Sequence, residues 1–243
     1  ANGDILWNQL ESYIRNKEIK RGDKHVLTPP LGNVDLYKTS GHLEHYKDAM
    51  FPIMKVEDEE YVLRPMNCPH HMMIFDHDLH SYKELPLRIA EIARDCRYEA
   101  SGALKGIERL RSFCQNDSHI FCTPDQIEEE FKGVVDLILE CYKELNITNY
   151  RFELSLRDPE DNMLRKVMKD IGLPYVEKIG EAAFYGPKLD VQVKPAVGPE
   201  ITISTCQIDF CLPMKFNLSY VDKDGSKKTP VVLHRAIFGS IDR

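Results

Sequence analysis

The sequence predicts an α+β fold, an antiparallel sheet with helices segregated around it. Three observations predict it. Stretches of strand character, Tyr150 to Leu156, Ala183 to Val193, Ile201 to Leu212, Phe216 to Val221 and Thr229 to His234, crowd the second half, and consecutive strands joined by turns favour antiparallel pairing. One long amphipathic stretch, Pro124 to Leu145, reads as a helix packed beside them. Between Arg97 and His119 a further pair of strands flanks the small residues Ser101-Gly102-Ala103.

Taken in order, Asp4 to Tyr13 spaces Ile5, Leu6, Leu10 and Tyr13 at helical intervals and makes an amphipathic helix. Val26 to Leu31 follows, where Pro29-Pro30 ends any ladder and forces an extended path. Glu60 to Arg64 is a short strand, and Pro69, suited to a first helical turn, starts a helix to Phe75. The helix from Pro124 has a capping box in Thr123 and Gln126 and an apolar stripe of Ile127, Phe131, Val134, Val135, Ile138 and Tyr142. Asn162 to Asp170 is a second helix with Gly172 near its end, and Asp222 to Lys227 reads as a hairpin turn with a solvated tip.

The strand pair breaks the usual packing pattern. At period two, Arg109, Arg111, Phe113, Gln115, Asp117 and His119 share one face, and Arg97 and Glu99 share a face of the strand before. An ordinary half-buried strand would put apolar residues there, so this face is suited to holding charge. A solvated hairpin face accounts for the same alternation equally well.

Composition narrows the function classes. With 243 residues, 42% hydrophobic and 29% charged, the chain has the make-up of a globular protein able to bury a sizeable core. No run approaches the roughly 18 apolar residues of a membrane helix, and Ala1 to Gln9 lacks the regions of a signal peptide. Seven cysteines without close pairing argue against a disulfide framework or a zinc ribbon and for a reducing, cytoplasmic setting. A net charge of −7 disfavours nonspecific nucleic-acid binding. His70, His71, His77 and His80 read as surface or packing residues of the Pro69 helix.

With Arg64-Pro65-Met66-Asn67-Cys68-Pro69-His70 and the closing run His234-Arg235-Ala236-Ile237-Phe238-Gly239-Ser240-Ile241-Asp242-Arg243, the polar face resembles the catalytic core of the threonyl-tRNA synthetases, which are class II aminoacyl-tRNA synthetases. The resemblance covers nearly the whole chain, residues 1–243, as one catalytic domain. Its three motifs are the Pro29-Pro30 region, the strand pair with Arg97 and Glu99, and the segment ending at Arg243. Their order, with Met66 to Pro69 and Ala183-Phe184-Tyr185-Gly186-Pro187-Lys188 between them, makes it specific. The fold implied is an antiparallel six- or seven-stranded sheet flanked by helices.

The activity implied is ATP-dependent conversion of L-threonine to threonyl-adenylate, with ATP as its Mg2+ complex, followed by transfer to the 3′ end of tRNA(Thr). The resemblance assigns the α-phosphate and threonine carboxylate to Arg97, the adenine amino group to Glu99, and the distal phosphates and adenine face to Arg109 and Arg243. Guanidinium suits both phosphate and flat rings. Thr205 and Gln207 match positions near the ribose and the substrate, and Met66, Gln115, Asp117 and Tyr185 match the threonine pocket. Ser204 stands where many relatives have Gly, and Thr202 where some have Gln.

A zinc ion is also implied, with Cys68, His119 and His234 as ligands; from their spacing alone, a buried Cys and two hydrogen-bonded His would serve as well. Three ligands leave coordination open to substrate. Coordination of threonine's amino and hydroxyl groups, with Asp117 accepting from the hydroxyl, would reject valine, and serine, lacking only a methyl group, should still be activated. His42 matches a histidine that takes the proton from the tRNA ribose during transfer. Also implied are a homodimer, and relatives with an editing domain, an anticodon-binding domain and an acidic stretch between the positions of Asp161 and Asn162, so the expectation is an isolated catalytic domain with a missing loop there. Two rivals are a freestanding amino-acid ligase charging a carrier other than tRNA and a noncatalytic synthetase-like regulator. The presence of Arg97, Arg109 and Arg243 together argues against the second.

Overall fold

The structure is a computed structural model that describes residues 2–157, 163–182 and 186–243. The chain opens with α1 (Asn2–Lys20), β1 (Lys24–His25), β2 (Leu31–Asn33), α2 (Val34–Ser40) and α3 (His42–His45). Next come β3 (Met54–Val56), β4 (Glu59–Leu63), α4 (Cys68–Asp76), β5 (His80–Ser81), β6 (Leu87–Cys96) and β7 (Ser112–Cys122). Then follow α5 (Ile127–Glu144), β8 (Tyr150–Leu156), α6 (Met163–Ile171), β9 (Tyr175–Ile179), β10 (Lys188–Val193) and β11 (Ile201–Asp209). The chain closes with α7 (Leu212–Lys215), β12 (Tyr220–Val221), β13 (Lys227–Lys228) and β14 (Val231–Ser240).

The main sheet has eight strands in the order β1-β6-β7-β14-β11-β10-β8-β9. Its six central strands are antiparallel, as the sequence leads one to expect, and each edge adds a parallel partner, β1 on β6 and β9 on β8. The sheet is therefore larger than the six or seven strands expected, and mixed at its edges. β9 escapes sequence pattern because it is a half-exposed edge strand with Glu177 and Lys178 in its middle.

Helix α1 runs seven residues past the apolar stripe, from Tyr13 to Lys20. Ile14 enters the main core, and beyond it polar contacts hold the extension: Lys17 reaches Glu140 and Glu144 on α5, and Glu18, fully buried, takes Asn116 at 2.8 Å and Arg235. The strand expected from Ile201 to Leu212 stops at Asp209, whose Oδ1 accepts from the amides of Cys211 and Leu212, and Pro213 then sits in the first turn of α7. Of Phe216 to Val221 only β12 is strand, while β14 starts at Val231 and continues six residues beyond His234. β10 begins at Lys188, since Pro187 has no amide to give a ladder.

The strand pair also needs correction. β6 ends at Cys96 and β7 begins at Ser112, so Arg97, Glu99, Arg109 and Arg111 lie just outside the strands they were expected to occupy. The ladder lasts one bond further, Arg97 N to Arg111 O at 2.8 Å, and is ended when Glu99 N turns back to Arg97 O. A short 3-10 turn, Ser101–Ala103, lies in the connection.

Alternation gives the sheet two different faces. On β11, Cys206 and Ile208 enter the main core with Leu154, Val191, Leu233 and Ile237, against Phe131, Val135 and Ile138 of α5 and Leu164 and Met168 of α6. Thr205, Gln207 and Asp209 point the other way. The register then builds rows across four strands: Gln207 opposite His234, His234 opposite His119, His119 opposite Ile89. The next row holds Thr205, Ala236, Asp117 and Glu91. A second core of Met72, Phe75, Ile89, Phe121, Val232 and Leu212 fixes α4 over this face. The Thr123–Gln126 capping box is present, closing a 3-10 turn that leads into α5. Asp222 and Ser226 close the turn between β12 and β13.

Candidate functional site

Two adjoining cavities open on the polar face of the sheet. The first is lined by Ser40, His42, Met66, Cys68, Arg97, Gln115, Asp117, His119, Thr205, Gln207 and His234, among others. The second is lined by Arg97, Glu99, Lys105, Arg109, Phe113, Gln115, Gly239 and Arg243, among others. Arg97 and Gln115 belong to both. Every residue to which the resemblance assigns a role thus lines one of the two, apart from Tyr185, which lies outside the described residues, as does the junction of Asp161 and Asn162, whereas Arg111 of the polar face donates to Glu99 O and Ser101 Oγ instead. Thr205 lines the first cavity rather than the second.

Arg97 stands at the junction. Its Nε donates to Pro65 O at 3.1 Å, its Nη2 to Gln115 Oε1 at 3.2 Å, and its guanidinium lies 5.0 Å from the Phe113 ring centroid. Arg243 donates to Thr202 O at 2.6 Å, and both burial and the nearby charge of Arg97 work against its own charge. Two guanidiniums drawn together against their repulsion make a place for an anion. Arg109 is more exposed and forms an ion pair with Glu99 at 3.0 Å. Gly239 keeps this corner open. Its φ is +59°, and a Cβ there would lie 2.8 Å from Ile203 O and 2.9 Å from Arg243 Nη2.

In the first cavity the ligand atoms of Cys68, His119 and His234 lie within 4.8 Å of one another, and this is the three-residue metal-ligating group found among the described residues. Chemistry favours a cation there. His119 Nε2 is buried without a hydrogen-bond partner, and burial, then His234 and His71, hold the ring well below its ordinary pKa, as the neutral imidazole that ligates. His234 gives Nε2 to Asp209 Oδ2 at 2.8 Å, which leaves its Nδ1 for the cluster. Burial opposes the charged form of His234, but Cys68 and Asp209 overcome it and raise the ring to about 10, while burial raises the Cys68 thiol. A divalent cation would displace the proton this pair retains. The residues therefore fit a zinc ion whose coordination they leave open to further ligands.

Asp117 borders the cluster, its carboxyl raised to about 6 by burial against the pull of Arg97 and His234. His42 sits in the wall with Nδ1 2.6 Å from Ser40 Oγ and Nε2 3.4 Å from Met66 Sδ. Burial, aided by His234 and Lys215, lowers it to about 4, so it is neutral at pH 7 and a weaker base than an exposed histidine. Three contributors were not visible in the sequence. Asp209 and Glu91 come from strands whose faces could be assigned only once the register was known. His71, expected at the surface or in packing, is completely buried and touches His119, its Nδ1 2.7 Å away.

Residues 51–243 match the family model of the tRNA synthetase class II core domain (G, H, P, S and T). The chain is 54% identical over its whole length to a threonine–tRNA ligase of Staphylococcus carnosus, and 52% identical over 99% of its length to that of Anoxybacillus flavithermus, spanning 40% of each relative. Among solved structures it resembles the RNA binding domain of threonyl-tRNA synthetase from Cryptosporidium parvum, with a TM-score of 0.91 and 40% identity, covering 98% of this chain and 62% of that one. A threonyl-tRNA synthetase from Aeropyrum pernix, described as putative, gives a TM-score of 0.81 at 30% identity, covering 93% of this chain and 55% of that one. This chain belongs to the class II tRNA synthetase core-domain family, and the relatives it matches within that family are threonine–tRNA ligases.

Proposed function

We propose that this chain activates L-threonine with ATP and passes it to the 3′ end of tRNA(Thr). The observation that carries the reading is the sharing of Arg97 and Gln115 between an arginine-lined cavity and one that holds Cys68, His119 and His234. A nucleotide in the second and an amino acid in the first would bring the threonine carboxylate to the α-phosphate beside Arg97. A carboxylate oxygen forms the new bond to phosphorus, and pyrophosphate leaves with the electrons of the old one. The charge that spreads over the phosphoryl oxygens meets guanidiniums fixed by Pro65, Gln115 and Thr202, so little reorganisation is needed in the transition state.

ATP enters as its Mg2+ complex, with Glu99 toward the adenine amino group and Arg109 and Arg243 toward the distal phosphates and the adenine face. Gln115, Gln207, Met66 and Thr205 border the amino acid and the ribose, and the resemblance alone adds Tyr185 to the threonine pocket. A zinc ion held by Cys68, His119 and His234 would supply a Lewis-acid site for threonine's amino and hydroxyl groups, with Asp117 accepting from the hydroxyl. Threonine-dependent ATP–pyrophosphate exchange tests the reading, and serine should give a weaker signal. Losing one methyl contact changes selection by about 1–3 kcal/mol, so a serine rate at background contradicts this account of the pocket.

His42 takes the proton from the tRNA ribose during transfer, a role supported by its neutral ring in the wall of the first cavity. The His42→Ala variant should slow single-turnover transfer by about 10²-fold or more while exchange stays near normal. Equal loss in both steps refutes the role. The exposed apolar residues Leu27 and Leu31, which flank the first motif, support pairing with a second copy, which light scattering would register as a doubled mass. No helix among the described residues is long and apolar enough to cross a membrane, and all seven cysteines are free, which supports reaction in the reducing cytoplasm.

A further inference from the structure

We propose that His71, backed by Glu91, is a positioning residue that holds His119 in the one tautomer able to offer Nε2 to a metal. This rests on the metal reading given above and adds a residue to it. The rings of His71 and His119 meet nearly edge to face, 84° apart with centroids at 4.7 Å, and their Nδ1 atoms are 2.7 Å apart. Two ring nitrogens that close share a single proton, so one must donate and the other accept.

Glu91 decides which. Its carboxylate accepts from Thr28 N at 2.9 Å, Thr28 Oγ1 at 2.7 Å and Arg64 Nη2 at 3.2 Å, and it lies 3.1 Å from His71 Nε2. An ionised carboxylate only accepts, so Nε2 of His71 carries its proton and Nδ1 keeps a lone pair. His119 then donates from Nδ1, and its Nε2 is left with a lone pair facing the cavity. The opposite polarity would put a buried N–H at His119 Nε2, an atom without a hydrogen-bond partner.

The intervening ring is a consequence of register. Ile89, not an acid, stands directly across from His119 on β6, and Glu91 lies two pairs along, the next on the same face, opposite Asp117. His71, projecting from α4, bridges the gap. His234 needs no such bridge, because Asp209 reaches its Nε2 directly. Both ligating imidazoles thus end on a carboxylate, one directly and one through a second histidine.

The test compares the chain with its His71→Phe and Glu91→Gln variants. Zinc affinity is measured by competition with a chromogenic chelator, below the melting range of each, and the thermal midpoint is measured after metal has been stripped. His71→Phe keeps the ring and removes the acceptor, and should weaken zinc binding about 10- to 100-fold. Glu91→Gln, nearly isosteric, should weaken it in the same direction by a smaller factor. A lowered midpoint with unchanged zinc affinity would mean packing alone and overturns the inference. If His71→Phe does not fold, unchanged affinity in Glu91→Gln overturns it equally. Failure of the unmodified chain to take up stoichiometric zinc overturns this inference and the metal reading together, whereas normal uptake with unaltered variants overturns this inference only.

Discussion

Replacing Arg97 with alanine should lower the rate of threonine-dependent ATP–pyrophosphate exchange by about 10²- to 10³-fold, the effect of removing one fixed donor from a developing anion. The expectation follows from its place. Arg97 borders both cavities, and its guanidinium is held on one side by Pro65 O and Gln115 and on another by the face of Phe113. A lysine could keep the charge but not the planar fork, so Arg97→Lys should recover little of the loss. The fold should survive. Neither residue that Arg97 bonds to is anchored by it alone, since Gln115 sits in the ladder between β6 and β14 and Pro65 follows β4 closely. The measurement is exchange kinetics beside a thermal melt. A variant that melts normally and loses less than tenfold would place the chemistry elsewhere on the sheet.

The extent to which this site could be read beforehand depended on how local each signal was. The α5 cap was legible because Thr123, Pro124 and Gln126 complete it within four residues, and β8 because its alternation is unbroken from Tyr150 to Leu156. The polar face was legible as Gln115, Asp117 and His119, since period two holds within a single strand. Its partners were not. Asp209 reaches His234 because β11 and β14 pair with Gln207 opposite His234, and nothing in either strand alone specifies that register. Glu91 lies in β6, a stretch that the sequence pattern assigns to no element of its own, and His71 could not be told from His70 one residue away. The difference between those two is one of helix face. His71 turns inward to Glu91 and His119, whereas His70 packs beside Tyr37. The extension of α1 was hidden for a similar reason, because charged contacts to α5 and β14 replace the apolar stripe on which periodicity depends.

Stripping the metal, or removing a ligand by Cys68→Ala, should collapse the preference for threonine over valine from about 10⁴–10⁵ to about 10². The two substrates are nearly isosteric, so the apolar walls contribute little to the choice. In the proposed reading, what separates them is the loss suffered when valine leaves polar partners without a hydroxyl, those partners being the open coordination sphere of the zinc and Asp117. Without the ion, the buried His119 Nε2 and the half-buried Asp117 remain polar, but neither is arranged to take the amino and hydroxyl groups together. Threonine's kcat/KM should therefore fall steeply while valine's, already small, changes little. The cluster is attached through three separate elements, Cys68 on α4, His119 on β7 and His234 on β14. Each is anchored by apolar neighbours in a core, Phe75, Phe121 and Val232 among them, so the sheet should keep its fold when the ion is withdrawn. The check is the ratio of exchange kcat/KM values for the two amino acids, measured before stripping, after it, and after zinc is restored. A ratio that stays above about 10³ throughout would assign selectivity to Asp117 and the cavity walls instead of the metal. Recovery on restoring zinc separates loss of the ion from damage to the chain.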